Sequence, residues 1–316
     1  MRNICPCWHQ YSIAHACGQR SGNPCHLCIR SHGISVDHAT PTPEKRIADD
    51  AFLQQLEELH PSIYFQFDGF EAETYRLLRG EPDILPQKLR ALDRLAEIGA
   101  NVVLVPAVDR FINLHEVGAI ISFGLQHPAV RGINFQPAFQ SGRHIESDPM
   151  QRLTIPDILT ALEEQTGGTL LVSDFVPVPC CFPTCNSVTY VLSNGETVLP
   201  LTRVLNVEDY LDYIKNIFMV MLQDFMDPWT FNQKNLMKCC KEILLPDGKQ
   251  IPFCAYNNVG YREQARAQLQ ARERQRNQAK RAGVPYVPQP LHFSFAPTAQ
   301  NGTLHVVSAV KGPAHE

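Results

Sequence analysis

The sequence predicts an α/β fold in which parallel strands form a barrel or half-barrel. Between residues 46 and 179, amphipathic helices alternate with four short apolar segments, the pattern of parallel βαβ units. Polar side chains recur near the ends of these segments, where barrels and open sheets bind their ligands. Cysteines fall outside this region, in groups before and after it.

The predicted elements of this region follow one another without long gaps. The helix LPQKLRALDRLAEIGA is typical, since its leucines are spaced to form one apolar face. In chain order, the predicted elements are helix RIADDAFLQQLEELH, strand SIYFQFDG, helices FEAETYRLLRG and LPQKLRALDRLAEIGA, strand NVVLVPAV, helix NLHEVGAIISFGLQH, strand VRGINFQPAF, helix TIPDILTALEEQTG and strand TLLVSDF.

Two of the predicted strands carry polar residues on one face near their carboxyl ends. Gln66 and Asp68 share a face of SIYFQFDG, and Asn134 and Gln136 share a face of VRGINFQPAF. Asp174, at the end of TLLVSDF, gives a third case. We interpret this face as the polar lumen of a barrel or half-barrel. The alternative is a satisfied polar network in the core, or a strand end that reaches solvent.

The loop QPAFQSGRH follows one of these strands and ends near Arg143. A guanidinium group offers a planar fork of donors, so Arg143 is a candidate ligand for a carboxylate or phosphate. An ordinary surface arginine is the alternative.

The segment beyond residue 200 is predicted to be mainly helical. VEDYLDYIKNIFMVMLQDFM and NQKNLMKCCKEILL are predicted helices, and PDGKQIPFCAYN is predicted to form a turn that leads to a short strand or loop. Residues 262–281 form a polar helix with seven Lys and Arg against two Glu. This helix is either a solvated helix or an arm that binds a partner.

Composition limits the classes of function. A net charge of -4 gives no reason to expect a nucleic-acid partner. No apolar run approaches the ~18 residues that a transmembrane helix needs, and the N-terminus lacks the apolar region of a secretory signal. We therefore expect a cytoplasmic protein that is not transmembrane.

The eleven cysteines fall into three groups, at residues 5–28, 180–185 and 239–254. Clustered cysteines in a cytosolic protein favour metal ligation over disulfides. Inert buried thiols are the alternative, and they suit scattered cysteines better than clusters.

The two downstream groups are the candidate metal ligands. Thiolates suit both zinc and iron–sulfur clusters, so a four-cysteine site leaves both open. Adjacent cysteines on a predicted helix point about 100° apart, so we expect only one of Cys239 and Cys240 to bind any one metal atom. The candidate ligands are Cys180, Cys181, Cys185, Cys239, Cys240 and Cys254.

From about Lys45 to Arg262 the chain resembles radical S-adenosylmethionine enzymes related to the archaeal pterin methyltransferase and tetraether lipid synthase. The stretches that carry the resemblance are IYFQFDGF, YRLLRG, KLRALDRLAEIGANVVLVPAV, NLHEVGAII, VRGINFQPAFQSGR, SDFVPVPCCFPTC and CCKEILLPDGKQIPFCAYNNVGYRE.

The resemblance implies a partial TIM barrel followed by a helical extension that bears cysteines. It implies auxiliary [4Fe-4S] clusters on the downstream cysteines, and S-adenosyl-L-methionine as cofactor. Gln66 and Asp68 would then line the mouth that receives the cofactor or substrate. It also implies methylation or carbon–carbon coupling on a lipid, a pterin or a similar small molecule, with a reductant such as ferredoxin or flavodoxin.

The sequence departs from the family pattern at its N-terminus. It contains no C-x3-C-x2-C motif and no Gly-Gly-Glu motif, so we expect a chain truncated at the first barrel strands and impaired in radical chemistry. Residues 1–45 are irregular and rich in Cys and His. They are predicted to be a frame-shifted segment, with a zinc or rubredoxin-like site at Cys5, Cys7, Cys25 and Cys28, or an unusual radical-cluster site, as alternatives.

The predicted organisation has four parts: the segment 1–45, a partial barrel at 46–179, an auxiliary iron–sulfur region at 180–262, and a basic helix with a tail at 263–316. The alternative to a radical enzyme is a non-catalytic α/β protein that binds an iron–sulfur cluster or zinc. A zinc-stabilised interaction domain is a third possibility.

Overall fold

The computed structural model describes residues 46–140, 148–178, 182–194, 197–204, 217–245 and 247–291. The helices are α1 (Asp50–Leu59), α2 (Ala72–Arg79), α3 (Leu85–Glu97), α4 (Val117–Gln126), α5 (Ile155–Gln165), α6 (Gln233–Leu236), α7 (Phe253–Asn258) and α8 (Tyr261–Ala282). The strands are β1 (Ser62–Phe65), β2 (Asn101–Leu104), β3 (Ala107–Val108), β4 (Val130–Pro137), β5 (Val176–Pro177), β6 (Asn186–Ser193), β7 (Val198–Pro200), β8 (Phe218–Gln223), β9 (Glu242–Leu244) and β10 (Gln250–Pro252).

One mixed sheet organises the chain, in the order β1-β2-β4-β8-β6-β5. Strands β1, β2, β4 and β8 are parallel neighbours. Strand β6 runs antiparallel to β8 and also pairs with β5 and β7. The fold is therefore mixed α/β with a mostly parallel central sheet, compatible with part of a barrel.

The main hydrophobic core lies on one face of this sheet. Phe65, Leu104, Phe135 and Leu222 point into it from four neighbouring strands. Apolar side chains of α3, α4 and α5 cover them, as expected for helices with one apolar stripe. The opposite face carries Asn134 and the other polar groups described below.

The helices and strands predicted between residues 46 and 137 are present, with most of the strands shorter than their predicted segments. The helix TIPDILTALEEQTG is also present as α5, where Asp157 accepts hydrogen bonds from the backbone and hydroxyl of Thr154 in a capping box. The basic helix is present as α8. Within the described residues, no helix is both long and apolar enough to cross a bilayer.

The predicted strand at 169–175 is wrong. Residues Val172–Asp174 form a short 3-10 helix, because the Asp174 carboxylate accepts a hydrogen bond from the backbone of Leu171 at 2.7 Å. The same carboxylate pairs with Arg203 at 2.6 Å. Asp174 is thus not a polar residue at a strand end.

The fourth parallel strand is β8, in a segment predicted to be helical. Its sequence FMVMLQ is apolar on both faces, and a short run of that kind does not distinguish a buried strand from a buried helix by periodicity. Pairing with β4 on one side and β6 on the other fixes it as a central strand. The predicted helix at 207–226 is therefore wrong over Phe218–Gln223.

The predicted helix NQKNLMKCCKEILL is also largely wrong. Helix α6 ends at Leu236, and β9 begins at Glu242 and pairs with β10 in an antiparallel hairpin. Cys239 and Cys240 lie in the link between them. The expectation that helical geometry separates these two thiols by about 100° therefore does not apply.

Candidate metal centre

Four cysteines from three separate segments line a single recess. Cys185, Cys239, Cys240 and Cys254 border this space, which is open in part to solvent. We call it the cysteine recess. Its other lining residues are Phe182, Asn186, Gln223, Asp224, Phe225, Met226, Asn235, Lys241 and Phe253. Cys180 and Cys181 lie outside the described residues.

The central sheet positions Cys185. Its backbone N–H donates to the Phe182 carbonyl at 2.8 Å, which closes a turn directly before β6. Its carbonyl accepts from the backbone N–H of Asp224 at 2.9 Å, one step beyond the paired residues Asn186 and Gln223. Cys185 therefore lies at the carboxyl end of β8, which is the usual ligand end of a parallel sheet.

The β9–β10 hairpin positions the other three cysteines. Glu242 pairs with Pro252, and the ladder continues one step further because Phe253 N–H donates to the Lys241 carbonyl at 2.8 Å. Cys240 directly precedes Lys241, and Cys254 directly follows Phe253 as the second residue of α7. A spacing of fourteen residues in sequence is thus closed by a hairpin, which brings both thiols to the same end of the ladder.

Burial raises the pKa of three of these thiols. It raises the pKa of Cys254 to about 12, and it is also the largest cause of the raised pKa values of Cys185 and Cys239. The thiols also raise one another's pKa: Cys239 acts on Cys185 and Cys254, and Cys240 acts on Cys239. Lys241 opposes this by lowering the pKa of Cys185, Cys239 and Cys254.

Among the described residues, the thiol sulfurs of the recess are not gathered as closely as the ligands of a single zinc ion would be. Within the part of the chain that the structure describes, no three cysteine sulfurs lie within 4.8 Å of one another. Four thiolates around one zinc, with Zn–S bonds of about 2.3 Å, would lie about 3.8 Å apart. A cluster places several irons and sulfides between its thiolates, so its ligands lie further apart.

Polar groups around the recess are only partly satisfied. The Asn134 amide donates to Gln223 Oε1 at 3.2 Å, but Asn134 Oδ1 and Gln223 Nε2 have no hydrogen-bond partner. Both residues are at most 3% exposed. An unpaired buried polar group is costly, so this pair leaves one acceptor and one donor beside the recess.

Arg152, which lies shortly before α5, forms ion pairs with two aspartates that follow β8. Its guanidinium binds both oxygens of Asp224, one at 3.1 Å, and donates to Asp227 Oδ2 at 3.0 Å. Burial raises the pKa of Asp224, while the hydrogen bond from Arg152 lowers it. This buried ion-pair network fixes the segment that follows β8.

Three of the predicted cofactor-binding residues, Gln66, Asp68 and Gln136, are not among the residues that line the recess. Asp68 is fully buried, and its carboxylate accepts from Arg79 Nε at 2.7 Å, from the Ala107 backbone at 2.9 Å and from Gln66. Gln66 in turn accepts from Lys88 at 3.1 Å. Gln136 is buried at the carboxyl end of β4. Arg143 lies outside the described residues, so the role of these four residues stays a prediction.

Sequence reasoning missed two groups of residues. Lys241 and Asn186 belong to the recess; the available signal was a Cys-Cys pair flanked by Lys238 and Lys241. Donor atoms of Glu71, His115 and Glu116 lie within 4.8 Å of one another. Glu116 accepts from the backbone of Phe70 and from Thr74 at the start of α2, so its carboxylate already has a structural role.

Comparison with known proteins gives one informative match. No family model matches the chain. The chain is similar to the 7,8-dihydro-6-hydroxymethylpterin dimethyltransferase of Methanocaldococcus jannaschii, with 28% identity over 299 aligned positions. The match covers 67% of this chain and 59% of the relative, so the chain spans less than two thirds of the relative's length.

Proposed function

We propose that this chain is a radical S-adenosylmethionine protein whose cysteine recess holds an iron–sulfur cluster of the [4Fe-4S] type. The observation that carries the proposal is the convergence of Cys185, Cys239, Cys240 and Cys254 on one recess at the ligand end of a mostly parallel sheet. The similarity to a pterin dimethyltransferase supports a methyltransferase-type reaction.

The cysteines would hold the cluster, and Cys180 and Cys181, which precede Cys185 closely in the sequence, are further candidate ligands. When bound, a cluster of this class supplies single electrons at low potential, received from a reductant such as ferredoxin or flavodoxin. Phe225 and Phe253, whose ring centroids are 4.4 Å apart, pack beside Cys254 and shield it from water.

The substrate we propose is a small planar or lipid-like carbon skeleton, with a reduced pterin as the first choice. The relative acts on 7,8-dihydro-6-hydroxymethylpterin. Gln66, Asp68, Gln136 and Arg143 remain our candidates for contacts to S-adenosylmethionine or substrate, because three of them lie at carboxyl ends of parallel strands.

The second candidate function is a non-catalytic iron–sulfur protein of the same fold. The observation that favours it is that the sequence contains no C-x3-C-x2-C motif. Such a chain would keep the recess as a structural or electron-transfer site without cleaving S-adenosylmethionine.

Anaerobic reconstitution with iron and sulfide tests the proposal. We expect broad visible absorption and stoichiometric iron and acid-labile sulfide, and we expect zinc not to displace them. Production of 5′-deoxyadenosine from S-adenosylmethionine with dithionite would favour the radical enzyme. A loaded chain that produces none would favour the non-catalytic protein.

Cysteine variants locate the cluster. Cys185→Ala and Cys254→Ala should each lose most of the bound iron, because each removes a thiolate from the recess. Cys17→Ala is the matched control, since it removes a cysteine outside the two downstream groups. Full iron content in both recess variants would contradict the assignment.

A further inference from the structure

One edge of the cysteine recess is a largely exposed segment that carries positive charge and large apolar side chains. We call this segment, residues 228–240, the recess rim. It follows β8, and its residues Asn235, Cys239 and Cys240 line the recess. Both cysteines are partly exposed. A metal centre held by these thiols would therefore lie directly behind the rim.

Hydrogen bonds and packing fix the backbone of the rim. Asp227 accepts a hydrogen bond from the backbone of Trp229 at 3.1 Å, one of several that close a turn at the start of the rim. The Asn232 side chain caps α6. Leu236, on α6, packs against the small hydrophobic core that contains Cys254. The outward side chains of the rim are thus presented from a defined surface.

Large apolar side chains of the rim lie exposed. Trp229 is 68% exposed and Met237 is 79% exposed. Phe231, between them in sequence, is also exposed. Aromatic residues and Met are enriched at protein interfaces relative to the rest of the surface. An exposed tryptophan on a fixed turn is therefore a candidate contact for a partner protein.

The exposed charges of the rim are positive and uncompensated. Lys234 and Lys238 are exposed, and neither forms an ion pair among the described residues. No Asp or Glu occurs between residues 228 and 241. The bias continues along the chain, since residues 228–281 contain eleven Lys and Arg against four Asp and Glu, whereas the whole chain has a net charge of -4. The rim thus belongs to a basic part of an otherwise acidic chain.

We propose that the recess rim is the docking surface for a small acidic protein that carries single electrons, with Lys234 and Lys238 as charged contacts and Trp229 as the apolar contact. This inference rests on the proposed function, because it requires a metal centre that receives electrons. On docking, the carrier is oxidised by one electron and the centre is reduced by one electron, and no bond forms or breaks. Positive side chains steer an acidic partner to the rim, and small interfaces are typical of transient electron-transfer complexes.

Charge reversal on the rim separates docking from the properties of the metal centre. The double variant Lys234→Glu/Lys238→Glu reverses both exposed charges. The matched control is Arg90→Glu/Arg131→Glu, which makes the same change in net charge at two exposed residues, on α3 and at the amino end of β4, that belong to neither the rim nor the recess lining. Trp229→Ala tests the apolar contact.

The first measurement is the rate at which reduced ferredoxin or flavodoxin reduces the anaerobically reconstituted full chain, followed by visible absorption. In the double rim variant, we expect this rate at low salt to fall at least about tenfold, because electrostatic steering changes such rates by about 10 to 10³-fold. The difference should shrink in about 1 M salt, where the Debye length is about 3 Å. The arginine control should match the native chain, and dithionite should reduce every chain to the same extent.

The second measurement is calorimetric titration of the metal-free chain with the oxidised carrier, which does not depend on how much centre each sample holds. We expect the Kd to rise about tenfold or more in the double rim variant and in Trp229→Ala, since aromatic anchors and charged contacts dominate such interfaces. The Kd of the arginine control should stay close to that of the native chain.

The remaining results overturn stated parts. Iron-loaded rim variants with native rates and native Kd values would overturn the docking surface and leave the proposed function standing, as would a native chain that binds neither carrier. If the native chain binds neither carrier but cosediments with phosphatidylglycerol vesicles, and the double rim variant does not, the rim binds an anionic lipid surface instead. No iron in any chain would overturn both proposals.

Discussion

The carboxyl end of β1 and the cysteine recess both bury polar groups, but they complete their hydrogen bonds differently. At β1, the Asp68 carboxylate is surrounded by donors from Gln66, Arg79 and the backbone of Ala107. At the recess, Gln223 Nε2 has no partner, and four thiols with a lysine border open space.

The hydrogen bonds of the Asp68 carboxylate are made within the fold, whereas a buried donor beside the recess has no partner. Buried polar groups in folded proteins are nearly always paired, since an unpaired one costs about 1–3 kcal/mol. The Asp68 carboxylate already has several donors within the fold. The unpaired donor and the clustered thiols of the recess are consistent with the metal centre proposed above.

Arg152→Ala should give the largest loss of stability, because the network that borders the recess depends on it. Removing the guanidinium leaves Asp224 and Asp227 buried without their counter-charge, at a cost of about 3–5 kcal/mol. Urea unfolding of the metal-free chain measures it. The control is Arg131→Ala, because the exposed Arg131 guanidinium donates only to Asn101 Oδ1, at 3.3 Å, among the contacts described here. Equal losses in the two variants would mean that the Arg152 network contributes little to stability.

Asp68→Ala should destabilise the chain by about 2–3 kcal/mol, since several charge-assisted hydrogen bonds disappear. Arg79 is a quarter exposed and regains water, so the cost stays below that of Arg152→Ala. Glu73→Ala, which breaks the exposed pair with Arg76, should leave the stability close to that of the native chain. An Asp68→Ala chain with native stability but weakened binding of S-adenosylmethionine would place Asp68 in a ligand site instead.

Gln223→Leu should cost about 1 kcal/mol or less in the metal-free chain. The change removes the acceptor of the Asn134 amide but also removes an unpaired buried N–H, and the two effects oppose each other. Urea unfolding again measures the cost. A loss as large as that of Asp68→Ala would show that the recess is already complete without a ligand.

Thr189→Val should give the smallest effect, a gain of roughly 0.5 kcal/mol. Thr189 is fully buried on β6 opposite Val220, and its hydroxyl has no partner. Removing an unpaired hydroxyl from an apolar site relieves its desolvation. Thermal unfolding and iron content are the measurements. A change in iron content would contradict the separation between core face and recess.

The sequence predicted the elements whose apolar residues recur at a regular short spacing. Helices such as α3 and α5 have one apolar stripe and clear end signals, so their position follows from periodicity. Strand β8 was missed because it is apolar on both faces, and only its neighbours β4 and β6 decide its conformation. Parallel pairing is long-range information that a local pattern does not contain.

The candidate site was likewise predicted where the signal is local in sequence and missed where distant residues meet. The cysteines were identified as a group because they cluster along the chain and their chemistry is distinctive. Lys241 and Asn186 were missed because they are 55 residues apart and meet only through the hairpin and sheet. Gln223 was assigned to a helix, which concealed its position beside Cys185.

The β9–β10 hairpin constrains the sequence spacing between Cys240 and Cys254. Side chains alternate between the two sides of a strand, so one residue inserted within β9 or β10 would reverse which strand side chains face inward and would shift Cys240 against Cys254 by one register position. A residue added at the tip, near Gly248, would leave the ladder unchanged. Length variation among natural versions of this hairpin should therefore be confined to its tip.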